Sequence, residues 1–408
     1  MAGLAAALEI TRRGFPVVVH EAAGHAGGRC RSFFDETLGC EIDNGNHLVL
    51  SGNICVAAFV DQVGSADTFL DIREARFPFV DLETDERWVI HPNRGRFPWW
   101  VFKPDRRVPG SRAADYLTAL RLLATDKSAT VDKVFGGNAN VYRRFWEPLA
   151  VAVLNTPPDE ACARLLWPVF AETFALGGDA CRPLIARTGL TRSFVDPALT
   201  TLRKRGANIR FGQRLRGLTT SGSTVTTLQF SGETIEIAAD DTVILALPAA
   251  VLASILPDSS PPETFHPIVN VHFRHDASTA ISPLPPILGV IGGTAEWIFC
   301  RDDILSVTVS AAIDLANAPA DEIADATWRD IDKVLNLNSP ERPATRVVKE
   351  KRATFAQTPG NEIRRADTRT SHENLFLAGD WTNTGLPATI EGAIRSGFNA
   401  AKLLLNRP

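Results

Sequence analysis

Apolar positions recur at helical spacing over residues 4–13, and Pro16–His20 then reads as a short β-branched strand ending at an acid, Glu21. A glycine-rich turn, AAGHAGGRC, follows. Between residues 70 and 100, RFPFVDLETDERWVI alternates on either side of a Glu-Thr-Asp-Glu turn, which predicts short strands. From about Ser111 to Leu176 the spacing is helical, with breaks at Gly136-Gly137 and at NTPP, residues 155–158. TLRKRGANIRFGQRLRGL predicts a helix end, a glycine turn and a strand. Three short strands follow up to TVILALP, the last apolar throughout, as in a buried strand of a parallel sheet. PIVNVHFRHD, EWIFCRDD and ILSVTVSAAID predict more strands, Ala320–Leu335 a helix, and TRVVKEKRATF another strand. The chain closes with LFLAGD as a strand, then a loop and a long helix.

The opening order of helix, strand and acid is that found after the first turn of a dinucleotide-binding βαβ unit. Parts of such a unit stand at the start, middle and end of the chain, which predicts an α/β protein with a discontinuous Rossmann-like domain. The expected boundaries are 1–70, 187–258 and 368–408 for that domain, with an inserted α+β substrate domain at 71–186 and 259–367. A length of 408 residues, 45% of them hydrophobic, suits two domains better than one. The net charge of −4 carries no basic excess, which argues against a nucleic-acid partner. Six cysteines form no C-x-x-C pair and eight histidines are scattered. His272 and His275 fall on opposite faces of a strand, so no metal site is expected. No apolar run nears the roughly 20 residues that span a bilayer, so the chain is expected to be soluble or peripheral. Trp99-Trp100, after RGRFP, is open to lipid contact, cavity lining or ordinary packing.

Two segments carry chemistry. Glu21 is placed to accept hydrogen bonds from ribose hydroxyls, although a lone acid after a strand is more often a solvated loop residue. It gains meaning from Gly27 and Gly28, which let backbone approach a phosphate, and from Arg29, which adds a cationic fork. At the other end, a buried strand stops at Gly379-Asp380, and TIEGAIRSG opens a helix whose N-terminal amides suit an anionic or electron-rich group.

Both ends resemble flavoproteins of the amine-oxidase and phytoene-desaturase type, with an amine-oxidase fold. That resemblance implies FAD as cofactor. It implies that Asp380 binds its ribityl or pyrophosphate part, that Thr389, Ile390 and Glu391 meet the pyrimidine edge of the flavin, and that the Leu215 backbone meets the adenine. AGGRCRSFFDETLGCEIDNGNHLVL, WEPLAVAVLNTPPDEA, VVKEKRATFAQTPG and LAGDWTNTGLPATIEGAIRSG narrow the resemblance to the hydroxysqualene dehydroxylase family of squalene and hopanoid synthesis. The family implies an isoprenoid substrate, hydroxysqualene, and reductive removal of its hydroxyl. It also implies a cytoplasmic location, with or without peripheral contact to the inner membrane.

By the same resemblance DNGNH, with Gly45, lies beside the isoalloxazine. Asp43 and His47 are then either acids for the hydroxyl or hydrogen-bonding groups that shape the loop. Trp146, Trp297 and Trp381 are open to cation stabilisation or core packing, and Lys349 and Lys351 to solvent or to the flavin. A carotenoid desaturase, an amine oxidase and a flavin-free prenyl-lipid-binding protein are the rival readings. Gly3 matches only the last glycine of the dinucleotide fingerprint. The chain as given is therefore expected to fold less stably and bind FAD poorly, with the missing strand and glycines encoded upstream of Met1.

Overall fold

The computed structural model describes residues 1–275, 284–337 and 341–406. Its largest element is a seven-stranded sheet in the order Thr345–Phe355, Phe265–Arg274, Ile304–Val309, Trp297–Arg301, Ile287–Ile291, Phe77–Asp81, Glu86–Ile90. Only the contact between Phe77–Asp81 and Ile287–Ile291 is parallel. Both faces are covered, which is why Ile304–Val309 is buried at every position.

Alternation along the strands gives the faces different jobs. On one, Val271, Phe273, Ile298 and Val307 pack against Ile323, Trp328 and Ile331 of the helix Ala320–Leu335. On the other, Phe79, Trp88, Trp297 and Phe299 meet Phe145, Trp146 and Phe170 from the short helices between residues 99 and 172. Asn270, His272, Ser306 and Thr308 share that second face by alternation, at register positions beside Trp297 and Phe299. One wall therefore runs from a polar end to an aromatic one.

The remaining elements carry two parallel pairs, Val18–His20 with Asn208–Arg210 and Val243–Leu245 with Leu375–Leu377. Among the described residues no strand joins the two pairs. The helices Ala2–Arg12 and Ile390–Leu405 lie so close that a Cβ on Gly397 would collide with the Ala2 carbonyl oxygen. A Cβ on Gly3 would stand 3.2 Å from that of Ala246, so this glycine permits close approach of helix to strand end.

The helix Ala320–Leu335 and the strand Thr345–Phe355 have the ends expected from sequence. Two details differ. Pro183–Ala186, expected in the inserted domain, pairs with Val49–Leu50 and Phe69–Asp71, because its backbone completes a three-stranded sheet with the first segment. The helical region is also a chain of short pieces, with a wide-turn π segment at Tyr142–Trp146 and a 3₁₀ helix at Leu117–Ala124.

The NTPP stretch is a latch. Asn155, at φ 46°, ends the helix Glu147–Leu154 in the left-handed conformation that Asn tolerates. Its side chain donates to His266 O (3.2 Å) and Thr354 Oγ1 (2.9 Å) and accepts from Ala311 N (2.6 Å). Two strands of the large sheet, and the turn that follows a third, are thus tied to one helix end.

Candidate functional site

The first strand hands Glu21 to a turn held on both sides. Glu21 N donates to Arg210 O and Gln213 N donates to Glu21 O, both at under 3 Å. One carboxylate oxygen accepts from Ala23 N at 2.8 Å. Leu215 begins its strand two residues beyond Gln213, and the ladder slips between Leu215 and Gly217. Gly27 has φ 100°, and a Cβ there would meet Cys30 O at 2.5 Å. Gly28 has φ 60° with nothing within 4 Å of a Cβ, which leaves its backbone open to a ligand.

Arg29 then crosses to the other end of the chain. Nη2 donates to Asp380 Oδ1 at 2.8 Å, and Nη1 donates to the carbonyl of Ala353. Gly379 has φ 156°, and a Cβ there would stand on the indole of Trp381. Trp381 is itself buried and donates to Leu247 O at 2.8 Å. Thr389 caps the last helix by accepting from Gly392 N at 3.1 Å. The N–H groups of Ile390 and Glu391 belong to the first turn, which has no partners within its own helix. Gln357 holds the loop before this cap: Oε1 accepts from Ala388 N, and Nε2 donates to Leu154 O.

The Glu391 side chain is taken up within the fold. It accepts from Cys55 N (3.0 Å) and Val56 N (2.8 Å), which caps the helix Ile54–Val63, and it pairs with Arg395 at 3.1 Å.

In the DNGNH loop the Asp43 side chain makes bonds of the loop-shaping kind. Asp43 accepts from Ser32 Oγ (2.6 Å), Leu190 N (2.8 Å) and Arg301 Nη1 (2.9 Å), so its carboxylate is committed to holding the loop. Burial pushes the His47 imidazole down to about 4, leaving it neutral and without the extra proton of an acid. Gly45 passes so near Asn270 that a Cβ would stand 3.2 Å from its Nδ2. Asn46 Nδ2 donates to Thr308 Oγ1 at 2.9 Å, and Thr308 Oγ1 donates to Asn270 Oδ1 at 2.9 Å. Asn44 Nδ2 reaches Glu350 at 3.4 Å. The loop is thereby docked on the polar end of the wall.

Of the aromatic candidates, Trp146 stacks on Phe135 at 4.3 Å and Trp297 meets Phe79 edge-on at 5.3 Å, both in the core. Lys349 donates to the Ala318 carbonyl, on the side of the outer helix, and Lys351 is exposed.

Glu296 is a residue that sequence reasoning missed. It precedes Trp297 in the ladder, its N–H donates to Thr308 O, and its carboxylate accepts from Ser310 N at 2.7 Å. Burial, reinforced by Glu147, pushes this carboxyl up to about 7 against the stabilising Ser310 bonds. Nothing in its local sequence, AEWIF, signals that. Among the described residues no group of three or more His, Cys, Asp or Glu is placed to hold a metal ion.

The open Gly28 backbone, the Arg29–Asp380 pair and the free helix start fit a flavin dinucleotide: a cation and amides for phosphates, and an acid for hydroxyls. Residues 1–405 match the model of the flavin-containing amine oxidoreductases, and the chain belongs to that family. Along its whole length it is similar to hydroxysqualene dehydroxylases. It is 44% identical over 406 residues to that of Sinorhizobium fredii, covering 100% of this chain and 96% of the relative. It is likewise 44% identical over 406 residues to that of Zymomonas mobilis, covering 100% and 97%. Among solved structures, a putrescine oxidase double mutant superposes with a TM-score of 0.74 at 16% identity, covering 100% and 97%. Cyclohexylamine oxidase from Brevibacterium oxydans gives 0.71 at 14%, with the same coverage. At that identity the likeness is one of fold.

Proposed function

We propose that this chain is an FAD-dependent oxidoreductase that removes the hydroxyl of hydroxysqualene to give squalene. The observation that carries the reading is the 42–44% identity, over the full chain, to three hydroxysqualene dehydroxylases. In this reading Glu21 takes the ribose hydroxyls, the Leu215 backbone the adenine, and Gly3, Gly27 and Gly28 permit close backbone approach. Arg29 faces the pyrophosphate and Asp380 the ribityl chain. The N–H groups of Ile390 and Glu391 meet the pyrimidine edge, and Gly45 lies by the ring. The cofactor part comprises the segments within 1–70, 187–258 and 368–408, extended to include Pro183–Ala186.

The reaction replaces a carbon–oxygen bond by a carbon–hydrogen bond. A proton converts the hydroxyl into leaving water, and a hydride closes the allylic cation that remains. That hydride is the chemistry a reduced FAD would supply when held by the residues named above. The protein must supply the proton, exclude water and line an apolar channel. Asp43 and His47 do not fit the acid role, the first being committed to Arg301 and the second neutral. Glu296 fits it better, because a carboxyl raised to about 7 still holds its proton in about half of the molecules at neutral pH. The aromatic end of the wall (Phe79, Trp88, Trp297, Phe299) is packed core, and we place the isoprenoid chain beside that apolar region. No helix of the described residues is long and apolar enough to cross a membrane. We place the enzyme in the cytoplasm, with its substrate reached at the inner membrane.

The test is incubation of flavin-loaded protein with hydroxysqualene under reducing conditions, followed by lipid extraction. Squalene is the expected product. Hydrogen peroxide released from amines, with hydroxysqualene left intact, rejects the reading.

A further inference from the structure

Exposed apolar side chains concentrate in one segment of the chain. Of the thirteen large apolar side chains left exposed among the described residues, six fall between residues 97 and 123: Phe97, Trp99, Phe102, Leu117, Leu120 and Leu123. Their arrangement is ordered. The segment Leu117–Ala124 is a 3₁₀ helix, and at three residues per turn positions 117, 120 and 123 lie along one edge. Those leucines are 53–61% exposed, while Leu122 turns inward and is 3% exposed. Phe97 and Phe102 stack at 6.4 Å, and the Arg106 guanidinium lies 4.8 Å over the Trp99 ring. The two halves of the patch are joined underneath by Trp100, which packs edge-on against Tyr116 at 5.1 Å.

Charge selects the occupant. Residues 94–124 hold seven Arg or Lys against two Asp, in a chain whose net charge is −4. Arg96, Lys103, Arg112 and Arg121 are exposed around the apolar side chains. A second copy of the chain, docked through a two-fold axis, would set this cationic patch against itself. An anionic bilayer offers the opposite charge and also accepts leucine, phenylalanine and tryptophan at the headgroup boundary. We infer that residues 97–123 dock the protein on the surface of an anionic phospholipid bilayer. Trp100, Val101, Tyr116 and Leu122, immediately beneath, belong to the same apolar cluster as Phe79, Trp297 and Phe299 of the wall. The docking rests on and deepens the functional reading above, since a long isoprenoid alcohol dissolves in that bilayer.

The test is co-sedimentation of the full chain with vesicles of phosphatidylcholine alone and of phosphatidylcholine mixed with phosphatidylglycerol. Binding is expected to the mixed vesicles and to weaken with salt. The triple variant Leu117→Ser, Leu120→Ser, Leu123→Ser is expected to lose at least about tenfold in binding, with its melting temperature kept. Ile363→Ser, at a site 77% exposed and outside this segment, is the control that should bind as the parent does. The docking is overturned if the mixed vesicles bring down no protein, if the triple variant binds as the parent does, or if the patch instead drives self-association that the variant abolishes. Turnover of detergent-dispersed hydroxysqualene is read in parallel. Vesicle binding without that turnover overturns the functional reading and leaves the docking standing, and turnover without vesicle binding does the reverse.

Discussion

The guanidinium of Arg29 donates to the carboxylate of Asp380 at 2.8 Å, across 351 residues of chain. This ion pair joins the glycine turn near the start to the strand end near the finish, the two segments proposed to hold the cofactor. Its partners are unequally covered, the Asp380 side chain being 11% exposed and that of Arg29 41%.

Asp380→Ala should weaken FAD retention. It removes a charged acceptor and frees Arg29 to move, and a hydrogen bond to a charged group is worth roughly 1.5–3 kcal/mol. The expected loss is about tenfold to 150-fold in affinity, read by flavin fluorescence titration of the folded variant. Unchanged retention would remove Asp380 from the site.

Glu391→Ala should destabilise the fold more than Asp380→Ala does. It strands the N–H groups of Cys55 and Val56 and leaves Arg395 with Glu172 alone. Each buried group left unpaired costs on the order of 1–3 kcal/mol. Thermal or urea unfolding measures this directly, and Glu391→Gln, which keeps one acceptor, should lose less.

Glu296→Gln should separate stability from catalysis through pH. The folded carboxyl titrates near 7 against an ordinary 4.5, so the folded state binds the extra proton between those values. In the parent this contribution is therefore most favourable below pH 4.5 and is lost as pH rises to 7, by about 3 kcal/mol at most. The glutamine variant should lack that decline and be the more stable of the two at pH 8. Its turnover should fall by about 10²–10⁴-fold, as for the loss of a general acid. The parent's rate should drop above about pH 7, with no matching limb in the variant. A variant with parental turnover and the same alkaline limb would remove Glu296 from proton donation.

Asn155→Ala should loosen the latch between the helix Glu147–Leu154 and the large sheet. It deletes three hydrogen bonds and places a β-carbon residue without a bonding side chain at φ 46°. Asn155→Gly relieves the backbone and keeps only the side-chain loss. Alanine should therefore melt below glycine, and both below the parent.

Elements with a strong local pattern are legible in this chain without its fold. The helix Ala320–Leu335 presents an apolar stripe at helical spacing, and Thr345–Phe355 carries β-branched residues between turn signals. The glycine turn at 27–28 and the strand that runs into Gly379-Asp380 are equally local, because backbone geometry restricts which residues can occupy them. Side-chain partnership is not local. Glu391 reads as a flavin-edge residue by position, yet the helix Ile54–Val63 arrives from elsewhere and takes its carboxylate. Asp43 reads equally as an acid or as a loop-shaping group until Arg301 and Leu190 are brought to it. Glu296 shows nothing in its own neighbourhood, since its carboxyl is raised by burial in the folded chain and by Glu147, distant in sequence. Backbone preference acts over a few residues and is written in them, whereas hydrogen-bond partners and burial depend on which segments the tertiary fold brings into contact.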